Sequence, residues 1–494
     1  MAASFLQDQP RTIACDPMSS FRIPRKFLIR RNPAANFDDD YEILEKLGEG
    51  GFATIFLVRH KPTDLLRVAK VVRLESQADV DIFRNEVSVM TELDSPYMGR
   101  LVSYYVDEKP LASPGGDAGQ AILITHYIRG PDLLDGINER ISQKRTFSPE
   151  EAASIALHML RSLAYLHQKG FIHRDIKPEN FILIDNQNDQ RLKLIDFGLV
   201  SRVGSADALV EMAGTSFYMA PETFASRARR RQYSDKSDCW SAGVILVTVA
   251  SGGSSVIGRS TSMGVSPRSM ADSNKYLAKE VAKLQDRGIH PSYLSVVKKL
   301  LVIDPSQRLS AQEALDQLGD IRNRFTADAD SASVQQILTR ARDFAKLPEL
   351  ARLVRLMIAH ETGDSEFENI DTLFQLMDTR CRGVLSESEL TRVTFPPMSS
   401  DLEIGNLYTG KPEIPFSLFL AHNIDRAHNK LVRYIFGELS RGADRIKVGS
   451  LMLRDPFTRD VAESMIRSCN VGTSGLEEGL TLQQFERCVF SSPS

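Results

Sequence analysis

The spacing of apolar and polar positions changes character several times along the chain. Residues 1–40 mix Pro, Ser, Asn and Arg with little periodicity, as a flexible extension or a short docking segment would. From Tyr41, short β-rich runs (Tyr41–Leu47, Ala53–Arg59, Arg67–Arg73) alternate with Gly-rich and Pro-containing turns, the texture of an antiparallel sheet. Asp79–Leu93 then carries Val80, Phe83, Val87 and Met90 at helical spacing. Pro149–His167 predicts a second amphipathic helix, and Asp238–Ala250 an apolar, buried one. Ser251–Asn274 is rich in Ser and Gly and reads as a mobile insertion. From about Ser331 the pattern is helical to the end, in repeated helix–loop–helix units. The reading is an α+β chain: a small β lobe, a larger helical lobe, then an all-helical module.

Composition narrows the setting. The 494 residues are 42% hydrophobic, enough for about three domains with real cores. A net charge of −3 gives no global field toward nucleic acid or an anionic membrane. The five cysteines (Cys15, Cys239, Cys381, Cys469, Cys488) form no CxxC pair, so neither a disulfide framework nor a zinc site is expected, and a reducing compartment is. No apolar run reaches the roughly 18 residues of a spanning helix. The N-terminus lacks a secretory apolar core, and Ala2 removes the myristoylation motif. A soluble, non-secreted protein of the cytoplasm is expected, with nuclear access left open.

Gly48-Glu49-Gly50-Gly51-Phe52-Ala53 lies between two predicted strands. Glycines let a backbone bring N–H groups close to phosphate oxygens, although such a hairpin can also be a plain turn. Lys70 sits among apolar neighbours on the third strand, and sixteen residues later Glu86 falls in the predicted helix. A helix Glu is a good device for holding an ammonium against phosphates. The decisive stretch is His173-Arg174-Asp175-Ile176-Lys177-Pro178-Glu179-Asn180, followed twenty-one residues after Asp175 by Asp196-Phe197-Gly198. Asp175 can orient a hydroxyl and take its proton. Asn180 and Asp196 offer oxygens to magnesium, and Lys177 a cation for the transferred phosphate.

These strings resemble the eukaryotic protein kinase family over roughly residues 41–325. The resemblance implies a bilobal kinase fold, ATP and Mg2+ as cofactors, and protein substrates. It places Leu47, Gly48, Glu49, Gly50, Gly51, Phe52, Ala53 and Ile55 over the nucleotide, Thr125 at the gatekeeper position, and His126-Tyr127-Ile128 at the adenine-binding hinge. Asp132 should reach the ribose. Glu222 of Ala220-Pro221-Glu222 pairs with Arg308 as a structural link, and Asp238–Gly243 anchors the catalytic loop. Ala53 replaces the third loop glycine, and Ile55 the usual valine; nothing catalytic is missing, which argues against a pseudokinase scaffold. Lys177 and Thr215 fit a serine/threonine kinase. Glu179 and Asp132 resemble acids that accept a basic residue upstream of the target. Ser201 and Ser205 are candidate phosphosites that Arg174 could pair with, or plain loop serines.

Beyond the kinase region, Ile337–Met357 resembles the junction helix of calcium-dependent protein kinases, within a segment 326–362. Residues 363–494 resemble their EF-hands in degenerate form, a generic helical domain being the alternative. One loop starts at Asp378, with Gly383 at position 6, Leu385 at 8 and Glu389 at 12. Arg380 and Arg382 occupy its ligand positions 3 and 5. The second places Leu407, Lys411 and Leu418 at positions 1, 5 and 12, the third Leu439, Arg441 and Ser450 at 1, 3 and 12, and the fourth, from Asn470 to Gln484, is too long. Calcium is therefore not expected. The module's expected work is protein contact, within the chain or with a partner; a calcium-gated kinase is the competing reading.

Overall fold

The computed structural model describes residues 25–50, 53–107, 119–186, 189–204, 218–224, 233–252, 278–321, 336, 339–340, 343–344, 346–386, 388–389, 413–452, 459–469 and 479–490. The insertion read at Ser251–Asn274 falls almost wholly outside them.

Strand alternation produces a six-stranded sheet in the order β1-β5-β6-β4-β3-β2. Its strands are β1 (Arg30–Pro33), β2 (Tyr41–Glu49), β3 (Ala53–His60), β4 (Leu66–Leu74), β5 (Leu101–Val106) and β6 (Gly119–His126). Five strands pair antiparallel, β2 with β3, β3 with β4, β4 with β6 and β6 with β5, the expected three (β2, β3 and β4) among them. The sixth, β1, pairs parallel with β5, Arg30 opposite Ser103 and Pro33 opposite Val106. Residues 25–40 are therefore not a flexible extension. Phe37 is buried against Tyr41 and Tyr105, with ring centroids 5.5 and 5.7 Å away. Arg30 reaches Glu438 at 2.7 Å and Glu361 at 3.2 Å. Partners so distant in sequence leave no local periodicity to read.

Helix Gln77–Glu92 begins earlier than its apolar pattern because Ser76 and Asp79 form a capping box. It buries Val80, Phe83, Val87 and Met90, and with them Glu86. Helix Pro149–Gln168 has the same cap from Ser148 and Glu151, with Pro149 in its first turn; such a cap stabilises by about 1 kcal/mol. Helix Asp235–Ser251 is buried on all sides. A Cβ on its Gly243 would lie 3.0 Å from side-chain atoms of Leu300 and Leu301, which explains a glycine inside a helix. No helix among the described residues is long and apolar enough to cross a membrane.

The C-terminal module has its own core, built around Phe374, Phe416 and Phe419. Its helix–loop–helix units are joined by two short ribbons. Strand β11 (Val384–Ser386) pairs with β12 (Glu413–Pro415), and β13 (Arg445–Ile446) with β14 (Leu480–Thr481). The expected junction helix is broken at Pro348, which caps helix Glu349–Glu361. Cys469 and Cys488, expected to be free, form a disulfide; nineteen residues separate them, a spacing that announces no motif.

The module sits against the back of the sheet. The last turn of a helix leaves carbonyls without partners, and here the small lobe supplies donors. Arg100 Nη1 donates to Ala359 O (3.1 Å) and Nη2 to Thr362 O (2.9 Å). His126 Nε2 donates to His360 O (2.8 Å), and Arg67 Nη2 to Glu361 O. Beneath them Asp364 accepts from Arg100 Nε and from Lys193 Nζ, each at 2.8 Å, and Lys193 also reaches Asp371 at 2.8 Å.

Candidate active site

The cleft between the lobes is assembled from strand register and one hairpin. Antiparallel pairing sets Lys70 of β4 opposite Ile55 of β3 and Leu123 of β6. Its ammonium reaches Glu86 Oε1 and Oε2 at 2.8 and 3.0 Å, and Asp196 Oδ1 at 2.8 Å. Burial alone would lower the Lys70 ammonium, but Glu86 and Asp196 outweigh it and raise it well above the usual lysine range. Partial burial likewise opposes ionisation of Asp196, yet Lys70 prevails and holds its carboxyl at about 2. Glu86, 3% exposed, goes the other way: burial raises its carboxyl, Lys70 offsets only part, and like-charged Asp196 adds to the rise.

Two-residue strands β7 (Phe171–Ile172) and β10 (Ser201–Arg202) pair antiparallel and bring the His173–Asn180 loop beside the Asp196 segment. Asp238 holds the loop from below. Its carboxylate accepts from the backbone N–H of His173 (2.8 Å) and Arg174 (2.9 Å) and from His167 Nε2 (2.9 Å). Arg174 and Asp196 both adopt left-handed backbone, φ +70° and +62°, a conformation that β-carbons disfavour and that the surrounding bonds must hold. Lys177 Nζ donates to Asp175 Oδ2 at 2.7 Å, and Asn180 Nδ2 to Asp175 O at 2.7 Å. The amide nitrogen of Asn180 is thus engaged in the loop, so its oxygen is the atom suited to a cation. Asn180 O accepts from Ile195 N at 2.8 Å, tying the loop to the residue before Asp196. Asp196, its side chain 44% exposed, and Asn180 are hard oxygen donors of the kind magnesium takes.

The other sequence-derived positions fall around this centre. In the glycine-rich hairpin Gly48 pairs with Ile55 and Glu49 with Thr54, and Gly50 N donates to Ala53 O at 2.9 Å; Gly51 and Phe52 lie outside the described residues. Leu47 is exposed at the hairpin base. Thr125 stands on β6 opposite Val68, and Ile128 is buried just beyond the strand. Asp132 caps helix Leu133–Ser142, its Oδ1 accepting from Asp135 N at 2.8 Å. Burial, with Asp135 and Glu179 nearby, raises its carboxyl. Glu179 Oε2 is buried without a hydrogen-bond partner among the described residues. Arg308 and Glu222 form a bidentate pair, 2.6 and 2.9 Å, with the guanidinium also donating to the carbonyls of Val302, Lys236 and Ile303.

Of the candidate phosphosites, Ser201 is buried in β10 and so is not presented to another enzyme in this conformation; Ser205 and Thr215 lie outside the described residues. Two connections escaped the sequence. Asn85 Nδ2, next to Glu86, donates to Val200 O at 2.7 Å. Lys193, three residues before Asp196, is buried with Asp364 and Asp371. The signal for the second was present: a lysine inside the apolar run Leu192–Ile195 needs a carboxylate partner.

The family model for the protein kinase domain matches residues 41–318. Among curated proteins, calcium-dependent protein kinase 3 of Plasmodium berghei is 27% identical over 80% of this chain and 68% of its own length. Calcium-dependent protein kinase 7 of rice is 28% identical over 78% and 67%, and calcium-dependent protein kinase 12 of Arabidopsis thaliana 27% over 77% and 74%. With its family model covering more than half of its length, the chain belongs to the protein kinase family: it is a serine/threonine protein kinase that resembles the calcium-dependent protein kinases.

Proposed function

We propose that this kinase transfers the γ-phosphoryl group of ATP, with magnesium, to serine or threonine hydroxyls of proteins, and that its C-terminal module works with little or no calcium. The observation that carries the reading is the meeting of Lys70, Glu86 and Asp196 within 2.8 Å contacts. Three residues from separate elements converge on one point in the cleft, where Lys70 would hold phosphate oxygens and Asp196, with Asn180, a magnesium ion. Asp196 and the Asn180 oxygen would hold magnesium, which when bound would supply positive charge against the phosphates. Asp175 orients the acceptor hydroxyl and receives its proton, and Lys177 faces the transferred group. The unpartnered buried oxygen of Glu179, close to Asp132, favours substrates with a basic residue near the target.

The relatives are named for calcium dependence, so a calcium-gated enzyme is the competing reading. Phosphorylation of a basic serine peptide with magnesium, run in calcium and in chelator, separates the two. Equal rates are expected; activity only in calcium would overturn the calcium-independent reading. Asp175→Asn is expected to lose about 10²–10⁴ in kcat, the usual weight of proton transfer, while a fluorescent nucleotide still binds. Undiminished turnover in that variant would remove Asp175 from the mechanism.

A further inference from the structure

The loop from Asp378 to Glu389 has the ends of a calcium loop and a guanidinium near its centre. Asp378 Oδ1 and Oδ2 accept from the backbone N–H of Arg382 and Gly383, each at 2.9 Å. Glu389 Oε2 accepts from Ser386 N (3.0 Å) and Oγ (2.6 Å), and Oε1 from Thr379 Oγ1 (3.1 Å). Across the loop Arg382 Nη2 donates to Glu389 at 3.3 Å, and Nη1 to Glu413 at 2.8 Å. Glu413 opens β12, which pairs with β11 of this loop. One planar cation therefore faces the position-12 carboxylate, which a divalent ion would take within this single loop, and also ties it to a carboxylate of the next hand.

The closed loop is seated on the kinase domain. Gly383 has φ +69°, and a Cβ there would lie 2.5 Å from Asp94 O and 2.6 Å from Tyr165 Cε2. Cys381 is 2% exposed and joins the kinase core, and Arg380 O accepts from Gln168 Nε2 at 2.8 Å. The Asp94 carboxylate accepts from Ser417 N (3.1 Å) and Oγ (2.7 Å) of the next hand. Asp94 stands two residues beyond helix Gln77–Glu92, which carries Glu86.

We propose that Arg382 is a tethered cation that stands in for a divalent ion, keeping this loop folded and seated against the kinase domain with no ion bound. The inference gives a physical basis to the calcium-independent reading above and rests on it for its meaning in the cell. Its test does not depend on turnover, so an inactive enzyme would sink that reading and leave this one standing.

The experiment is hydrogen exchange on the full chain, in calcium and in chelator, following the loop (378–389) and the Asp94 region (90–98). Wild-type protection is expected to be the same in both solutions; a rise with calcium would mean that an ion binds beside Arg382 and would overturn the proposal. Arg382→Gln should exchange about tenfold faster in both regions, the low end for losing a charge-assisted hydrogen bond at a half-exposed partner. Unchanged protection there would also overturn it. Should exchange rise equally in the buried helix Asp235–Ser251, the variant Arg380→Asp with Arg382→Asp decides. Calcium-dependent recovery of the loop supports the stand-in role, and no recovery in calcium refutes it.

Discussion

Asp364→Asn preserves side-chain shape and removes one negative charge from a buried group of four. Arg100, Lys193, Asp364 and Asp371 are each 7% exposed or less at the side chain, and their formal charges cancel. With asparagine the group keeps a net positive charge in a site closed to water. Removing one partner of a buried pair costs roughly 3–5 kcal/mol. Lys193 retains Asp371 at 2.8 Å, and Arg100 retains the carbonyls of Ala359 and Thr362, so the low end, about 3 kcal/mol, is expected. Module and kinase domain unfold as one unit of nearly the whole 494-residue chain, which at about 2 cal/mol/K per residue shifts by about 1 °C per kcal/mol, so the thermal midpoint near neutral pH should fall by roughly 3 °C. Burial works against the Asp364 carboxylate, but Lys193 and Arg100 together hold its carboxyl well below the usual range. A depressed carboxyl contributes stability above its unfolded value of about 3.9 and loses it only as pH falls toward the folded one. The gap between wild type and variant should therefore close only in strong acid. Scanning calorimetry at several pH values reads both quantities. A drop of less than about 1 °C near neutrality, or separate wild-type melting of module and kinase domain, would refute the reasoning.

Two further outcomes follow from other charged groups. Arg308→Met strands Glu222 and removes three carbonyl partners, so a loss of about 3–5 kcal/mol is expected, visible as a lower urea midpoint; adding Glu222→Gln should recover part, and no recovery would argue against the pair. The Lys70–Asp196 contact has a wide pH window. Raised Lys70 contributes below its unfolded value of about 10.4, until pH climbs through the higher folded one, and Asp196 contributes from about 4 upward, until pH falls to about 2. Nucleotide affinity should show no inflection from either group between roughly pH 5 and 9, and an inflection abolished by Asp196→Asn would contradict this.

The convergence of the candidate site residues was legible because they are written in short strings. Asp175, Lys177 and Asn180 lie within six residues, and one hairpin suffices to carry Asp196 to them. Periodicity found the helix of Glu86 but not its start, since Ser76 and Asp79 act through backbone caps that apolar spacing ignores. The N-terminal strand was missed for a different reason. Arg30 is satisfied by Glu361 and Glu438, hundreds of positions away, and the strand that carries it pairs with β5, so locally it looks like a residue with no partner.

The same logic bears on Lys193 and Arg382, the two cations whose sequence context was most misleading. A lysine within an apolar strand and an arginine in a calcium loop each look like a fault when judged against their neighbours alone. Both are answered by carboxylates that apolar spacing does not reveal, Lys193 by Asp364 and Asp371 and Arg382 by Glu389 of its own loop with Glu413 of the next hand. A buried charge is tolerable only where an opposite charge is held against it, so Lys193, 5% exposed at the side chain, cannot separate from its partners without leaving a mismatch. Lys193, three residues before Asp196, finds both carboxylates, Asp364 and Asp371, on the C-terminal module. Undocking the module would therefore leave a buried lysine unpaired on the strand that leads to Asp196, and for that reason the module reads as a positioning element of the cleft rather than an appendage.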